Sequence, residues 1–333
     1  MPKPPLSALL LFCLVATPAV AQVRVTAIAK AGKAVKETKE IRLAPFADFT
    51  EVNHLALGVE LADGDLLTAL KPDLFVELTC PRGTLLRLTG AFRTVVSLPD
   101  GVDCGLEPLN GAIDVLTDQP TEIGLGGKTL GTPGTRYAVR LSRDAGGPNY
   151  RILVFEGEVE LKGYDLRRVV STSRSLRFTR AAVPAETQAV TPEEIQRWAG
   201  LYARFDLAKA EAAGIQWNDE HGGATEAALT RLHAAVLQDP AAARPRLTLA
   251  KEQARLKVGD EALYNLQRTK MIAPDKLNEI HLEQLQHNNA LEYQKLDKIL
   301  LEIPPDTESL MMKKKILTTT TTTPPPGNDL HLP

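Results

Sequence analysis

The residues Glu122 to Thr129 read EIGLGGKT, and Gly127-Lys128-Thr129 is the ending of a phosphate-binding loop. That loop also needs a glycine where Glu122 stands, so that backbone amides can approach a phosphate closely. It further needs a helix directly afterwards, with its N-terminus facing the anion. Here the continuation is LGTPGTRYAVRL, broken by Gly131, Pro133 and Gly134 and then β-like. No nucleotide is expected. His281 and His287 are spaced to fall on different faces of a helix, and His54, His221 and His233 have no cysteines or carboxylates clustered with them. Asp63-Gly64-Asp65 has the oxygens for Ca²⁺, but two acids around a glycine read first as a hairpin turn. Trp198 and Trp217 read as core or groove-lining residues rather than a sugar platform, and Glu40 and Glu51 are lone acids. His-Glu-x-x-His and Gly-x-Ser-x-Gly are both absent. The expectation is a protein without catalytic, cofactor or metal residues.

The first 21 residues, MPKPPLSALLLFCLVATPAVA, carry one charge at Lys3, an apolar stretch Leu6 to Val15, and the small-residue pattern Ala19-Val20-Ala21. These are the three parts of a secretory signal peptide, with cleavage after Ala21. The stretch is short for a membrane span, and Pro18 lies near its end. A periplasmic or secreted location is expected, with no transmembrane segment in the mature chain. Two cysteines then remain, Cys80 and Cys104. An even pair in an exported protein reads as a disulfide, here closing a loop of about 25 residues, for about 3 kcal/mol of chain entropy. The runs 84–90 and 93–98 between them would go out and back as a hairpin. The formal charge of −2 gives no sign of nucleic-acid binding.

Stepping along the chain, residues 22–165 alternate apolar with polar: VRVTAI, LFVELTC, AIDVL, RYAVRL, RILVF, EVELKG. Turn residues punctuate them at short intervals, the pattern of an all-β sandwich, barrel or solenoid. EIGLGGKT falls in this region as strand, turn, strand. Residues 166–190 read as a last strand or two and then a linker. Thr191-Pro192-Glu193-Glu194 is a helix start: an N-cap, proline in the first turn, and acids behind it. Ile195, Trp198, Ala199, Tyr202, Phe205 and Ala208 continue as an apolar stripe. Further on, Ala228, Leu232 and Pro240 align with Ala262, Leu266 and Pro274 at a shift of 34. That period resembles a tetratricopeptide repeat, with Leu249-Ala250 at the packing positions of a first helix. Arg246 and Gln253 stand where such repeats carry bulk. Residues 191–310 are read as this helical module, and 311–333, with Thr318 to Thr323 and Pro324 to Pro326, as a disordered tail.

The β half resembles the FecR-like domain family of exported bacterial proteins. GVELADGDLLTALKPDLFVEL (58–78) is similar to the family's opening Gly-Asp and paired strands. Gly111 to Val115 and TEIGLGGKTLGTPGTRYAVRL (121–141) resemble its central run, and RILVFEGEVEL (151–161) its closing strand, Glu-Gly turn and strand. The resemblance implies an exported β domain, solenoid- or sandwich-like, that makes protein or envelope contacts. The sigma-regulating segment of signalling family members has no counterpart ahead of the apolar stretch. The resulting expectation is a multidomain chain, β then α, acting as a non-enzymatic envelope binding or scaffolding protein. Its partner would be an envelope or periplasmic protein. The alternatives are an extracytoplasmic sensor and an envelope hydrolase with an unrecognised site.

Overall fold

The structure, a computed structural model, describes residues 22–47, 52–131, 134–144, 147–163, 166–179, 182–183, 186–215 and 219–273. The expected signal peptide (1–21), His281, His287, Trp217, Glu51 and the expected tail lie outside them. The chain forms two compact units, Met1–Pro240 and Ala241–Pro333.

The first unit opens with β1 (Val23–Lys30), β2 (Lys33–Ala34), β3 (Glu37–Ala44), β4 (Asn53–Ala56), β5 (Glu60–Leu61) and β6 (Leu66–Ala69). It continues with β7 (Leu74–Thr79), β8 (Leu85–Ser97), β9 (Gly105–Thr117), β10 (Glu122–Gly124), β11 (Thr129–Gly131) and β12 (Thr135–Asp144). Then follow β13 (Gly147–Glu156), β14 (Glu158–Gly163), β15 (Leu166–Ser171), β16 (Arg174–Thr179), β17 (Gln188–Ala189), α1 (Pro192–Ala212) and α2 (Asp219–Gln238). The second unit supplies α3 (Ala243–Arg255) and α4 (Gly259–Ile272).

Hydrogen bonding sorts the strands into two layers that share β8 and β9. One layer runs β1, β7, the start of β8, the end of β9, β12, β13, β16. The other runs β4, β3, β6, the end of β8, the start of β9, β10, β11, β14, β15. Successive side chains alternate faces, so each layer turns one face inward. Val25, Val76, Leu88 and Ile113 from the first layer meet Ile41, Leu67, Phe92 and Leu161 from the second in one buried cluster.

The shared strand corrects the hairpin expected over 84–98. β8 is one strand of 13 residues, roughly 40 Å if straight. Yet Cys80 N–H donates to Thr84 O at one end, Ser97 pairs with Gly105 at the other, and the Cys80–Cys104 disulfide spans 5.9 Å between Cα atoms. Both ends therefore lie together, and β8 must fold over. The register breaks between Thr89 and Arg93, beside Gly90 at φ +77°. Across the ladder Gly111 sits at φ +104°, where a Cβ would strike Phe92 and Ala91. Both strands turn the corner at a glycine, Gly90 for its positive φ and Gly111 because a β-carbon there would also collide.

The sheet runs past residue 165 through the last strands expected there. β15 pairs with β14 and β16 with β13, because RSLRFT buries Leu176 and Phe178 on its inward side. At EIGLGGKT, β10 and β11 pair as a hairpin, Ile123 opposite Leu130. Gly126 and Gly127, both at positive φ, make its two-residue turn, which only glycine takes without strain.

α1 starts as expected. The Thr191 side chain accepts from Glu194 N–H, and Glu194 reciprocally accepts from Thr191 N–H. This capping box satisfies amides that a helix start otherwise leaves bare. The apolar stripe then covers the outer face of the first layer. Ala27, Ala29 and Ala138 are small enough to let the helix close in, and Phe75 and Phe155 pack against Phe205 and Trp198. In the second unit α3 and α4 form a helix pair whose interior is partly polar. Arg246 and Gln253, both buried, bond to Asn265 at 3.1 and 2.8 Å, so polar pairing replaces the bulk missing from those positions.

Candidate functional site

The outer face of the first layer carries charge in two adjacent rows. Under α1, Glu77 of β7 lies opposite Arg87 of β8, which lies opposite Asp114 of β9. All three are buried. Arg87 Nε donates to Glu77 at 2.9 Å, and its Nη1 is 3.6 Å from Asp114. α1 completes the set: Lys209 Nζ donates to Glu77 at 2.7 Å and the Tyr202 hydroxyl donates to Asp114. Arg136 of β12 stacks on the Tyr202 ring, 3.7 Å from its centre. Further along, buried His233 of α2 meets Asp206 of α1 at 2.7 Å.

Burial raises the Asp114 carboxyl, against the lowering pull of Arg136 and Arg87. Burial likewise lifts Tyr202 well above the ordinary phenol range, with the Asp114 charge adding to it, so its hydroxyl stays a donor. His233 is pushed down by burial, opposed by Asp206, and is held neutral. Glu77 faces Arg87 and Lys209, and Asp114 faces Arg87 and Arg136. Most of these side chains are buried between helix and sheet, and the network fastens the two together.

One pleat further, roughly 7 Å along the strands, the row changes character. Arg140 of β12 lies opposite Arg151 of β13, which lies opposite Arg177 of β16. Directly opposed like charges on neighbouring strands destabilise a sheet. These line a groove of about 930 Å³ at the N-terminal end of α1, with Ser142, Asn149 and Thr179 on its polar side and no acidic residue among its walls. Arg151 pairs with Glu194, the same carboxylate that closes the capping box, and its buried Nε has no hydrogen-bond partner. Arg140 rests on the Trp198 ring at 5.2 Å. Neither Arg140 nor Arg177 has a carboxylate partner among the described residues. Burial lowers the Arg140 guanidinium pKa, and Arg197 lowers it further. Arg151 is lowered by burial against the raising effect of Glu194, with Arg177 also lowering it. Guanidinium stays charged regardless, so the groove holds three positive charges against the one carboxylate of Glu194, in planar, two-pronged donors suited to carboxylate or phosphate.

No protein-family model matches this chain, and no curated protein matches it. The groove thus stands on its own geometry.

The residues singled out by sequence are placed elsewhere. Asp63 accepts from Leu98 N–H, and Asp65 from Ala62 and Phe46 N–H, so both carboxylates brace turns. His54 is exposed in β4. Trp198 is buried against Phe155 and Tyr202. Glu40 bridges Lys30 and Lys71. Cys80 and Cys104 are bonded to each other, next to Asp103, which accepts from Arg82 and Thr84 amides. These three are the cluster closest to metal-ligand spacing among the described residues. Sulfurs joined in a disulfide are not thiolate ligands, and the Asp103 oxygens are spent on the backbone. The three groove arginines went unremarked. Each is an outward residue of its strand, but only the pairing register puts them side by side.

Proposed function

We propose that this is an exported, non-enzymatic binding protein of the bacterial cell envelope. Its β domain takes an anionic ligand in the Arg140–Arg151–Arg177 groove, and its helical repeat-like part holds an envelope protein. The observation carrying this reading is a row of three adjacent arginines that meets a single carboxylate, Glu194, one pleat from a row of the same face in which Arg87 lies between two carboxylates. A like-charged row costs stability, and a bound carboxylate or phosphate relieves it. Export is supported by the tripartite N-terminal sequence and by the disulfide, a bond kept in oxidising compartments. No helix among the described residues is long and apolar enough to cross a membrane. The order of turns and strands over residues 58–161 supports kinship with the FecR-like domains.

Isothermal titration of the full chain with citrate, and separately with short-chain polyphosphate, tests the groove. We expect binding that weakens as salt rises and falls at least tenfold in Arg140→Gln/Arg177→Gln. Those two side chains have no ion pair among the described residues, so the fold should survive. Absence of binding to both anions at low salt, or equal affinity in the double variant, overturns the reading.

A further inference from the structure

A second basic surface lies on the outer face of the other layer. Arg42 of β3 is opposite Thr68 of β6, Thr68 is opposite Arg93 of β8, and Arg93 is opposite Asn110 of β9. Arg42 and Arg93 are both exposed, and so is Arg143 near the β12–β13 turn. The three arginines border one groove of about 850 Å³, again without an acidic residue in its walls. None has an ion-pair partner among the described residues.

This groove differs from the first in its apolar part. Its rim carries Leu70, Val52 and Leu109, which are 69 %, 51 % and 43 % exposed. Single exposed aliphatics are ordinary on a protein surface. Three large ones on the rim of a single groove, together with three unpaired arginines, are a pattern. Leu70 follows β6 and Val52 precedes β4, so two of the three sit just beyond strand ends.

We infer that this face docks on a membrane surface bearing anionic headgroups. The arginines reach the headgroup charges, while Leu70, Val52 and Leu109 enter the apolar boundary beneath. Charge and hydrocarbon at one boundary are what an anionic lipid surface offers. A small soluble anion leaves the three aliphatic side chains in water, and an apolar protein face leaves the three guanidinium groups uncompensated. The inference is argued from different arginines than the ligand proposed for the Arg140–Arg151–Arg177 groove, which adjoins this one at Ala91 and Asn110.

Co-sedimentation of the full chain with vesicles tests it. The vesicles are phosphatidylcholine alone, or phosphatidylcholine with about a third phosphatidylglycerol. The expected result is pelleting with the anionic vesicles only, lost as salt rises. Each basic residue at an anionic surface is worth about fivefold in partitioning. Arg42→Gln/Arg93→Gln should therefore lower partitioning roughly 25-fold. Leu70→Ser/Leu109→Ser should lower it several-fold at unchanged charge. Arg140→Gln/Arg177→Gln, in the adjoining groove, should lower it less than Arg42→Gln/Arg93→Gln does. All six positions are outside the core, and an unchanged circular dichroism melt confirms folded variants. No pelleting with anionic vesicles overturns the inference. So does pelleting that the Leu70/Leu109 variant retains in full, which marks a purely electrostatic encounter. A larger loss in the Arg140/Arg177 variant than in the Arg42/Arg93 variant also overturns it, by moving the contact to the other groove.

Discussion

Replacing Tyr202 by Phe removes one hydroxyl and nothing else, which makes it a sharp probe of how α1 is fastened. Tyr202 and Asp114 are both fully buried. The Tyr202 hydroxyl is the hydrogen-bond donor that Asp114 has, and the other carboxylate oxygen makes no hydrogen bond, with Arg87 Nη1 at 3.6 Å. Phe keeps the ring against Trp198 and Arg136, so no cavity larger than an oxygen opens. The loss is then that of a buried hydrogen bond whose acceptor is left unsatisfied, about 2 kcal/mol. For a unit of this size that lowers Tm by roughly 4–8 °C. Asp114→Asn should cost more, about 3–5 kcal/mol, because it strips a buried charge from Arg87 and Arg136. If the two act on one contact, the double variant is less destabilised than the sum of the singles. Thermal and urea denaturation followed by circular dichroism measure all four proteins. A Tyr202→Phe shift under about 1 °C, or strict additivity with Asp114→Asn, would refute the idea that this bond holds the helix to the sheet.

Two further perturbations follow from the same geometry. Converting both Cys80 and Cys104 to Ser releases a cross-link over 24 residues, and should destabilise the first unit by about 2–5 kcal/mol; an unchanged Tm in reductant, with both thiols shown alkylated, would contradict this. Burial lowers the pKa of His233 below its ordinary 6.5 despite Asp206, so the unfolded chain binds the proton more readily. Its stabilising contribution is therefore complete above pH 6.5 and lost as pH falls through the folded pKa. Denaturation midpoints from pH 8 to 5 should decline below that point in the wild type. They should decline less in His233→Gln, and parallel curves would assign the slope to other groups.

Much of the fold was legible because local chemistry dictates it. Alternation placed the strands, Gly126-Gly127 placed a hairpin turn, and Thr191 with Glu194 placed the start of α1. What escaped is what depends on partners distant in sequence. Glu77, Arg87 and Asp114 occupy the polar positions of alternating runs and read as a solvated face; nothing local reports that α1 will cover them. The fold in β8 was invisible too, since Gly90 looks like any loop glycine until its ladder partner Gly111 is known. Arg140, Arg151 and Arg177 are separated by a hairpin and then by β14 and β15, so only register makes them neighbours.

The contrast between the two rows carries the functional argument further than either row alone. Both belong to the same face of the same layer, and both were built with arginine. Under α1, where water is excluded, every arginine meets a carboxylate: Arg87 has Glu77 and Asp114 on its two flanks. This is the arrangement burial demands, since an unpaired charge there would be intolerable. Beside the first turns of α1 the row is only half-buried and reaches solvent at Arg177, so that demand weakens. Here the row repeats one sign across three adjacent strands and spends its nearest carboxylate, Glu194, on the helix cap and on Arg151. Mixed signs would serve solubility as well at lower cost. Arg140 is also held flat on Trp198, which fixes the guanidinium before any ligand arrives. Fixing a donor in advance removes part of the entropy that binding would otherwise cost. A row that is like-charged and partly ordered makes physical sense as one half of a complementary pair, the other half being anionic charge beyond the single Glu194 carboxylate that the described residues bring to it.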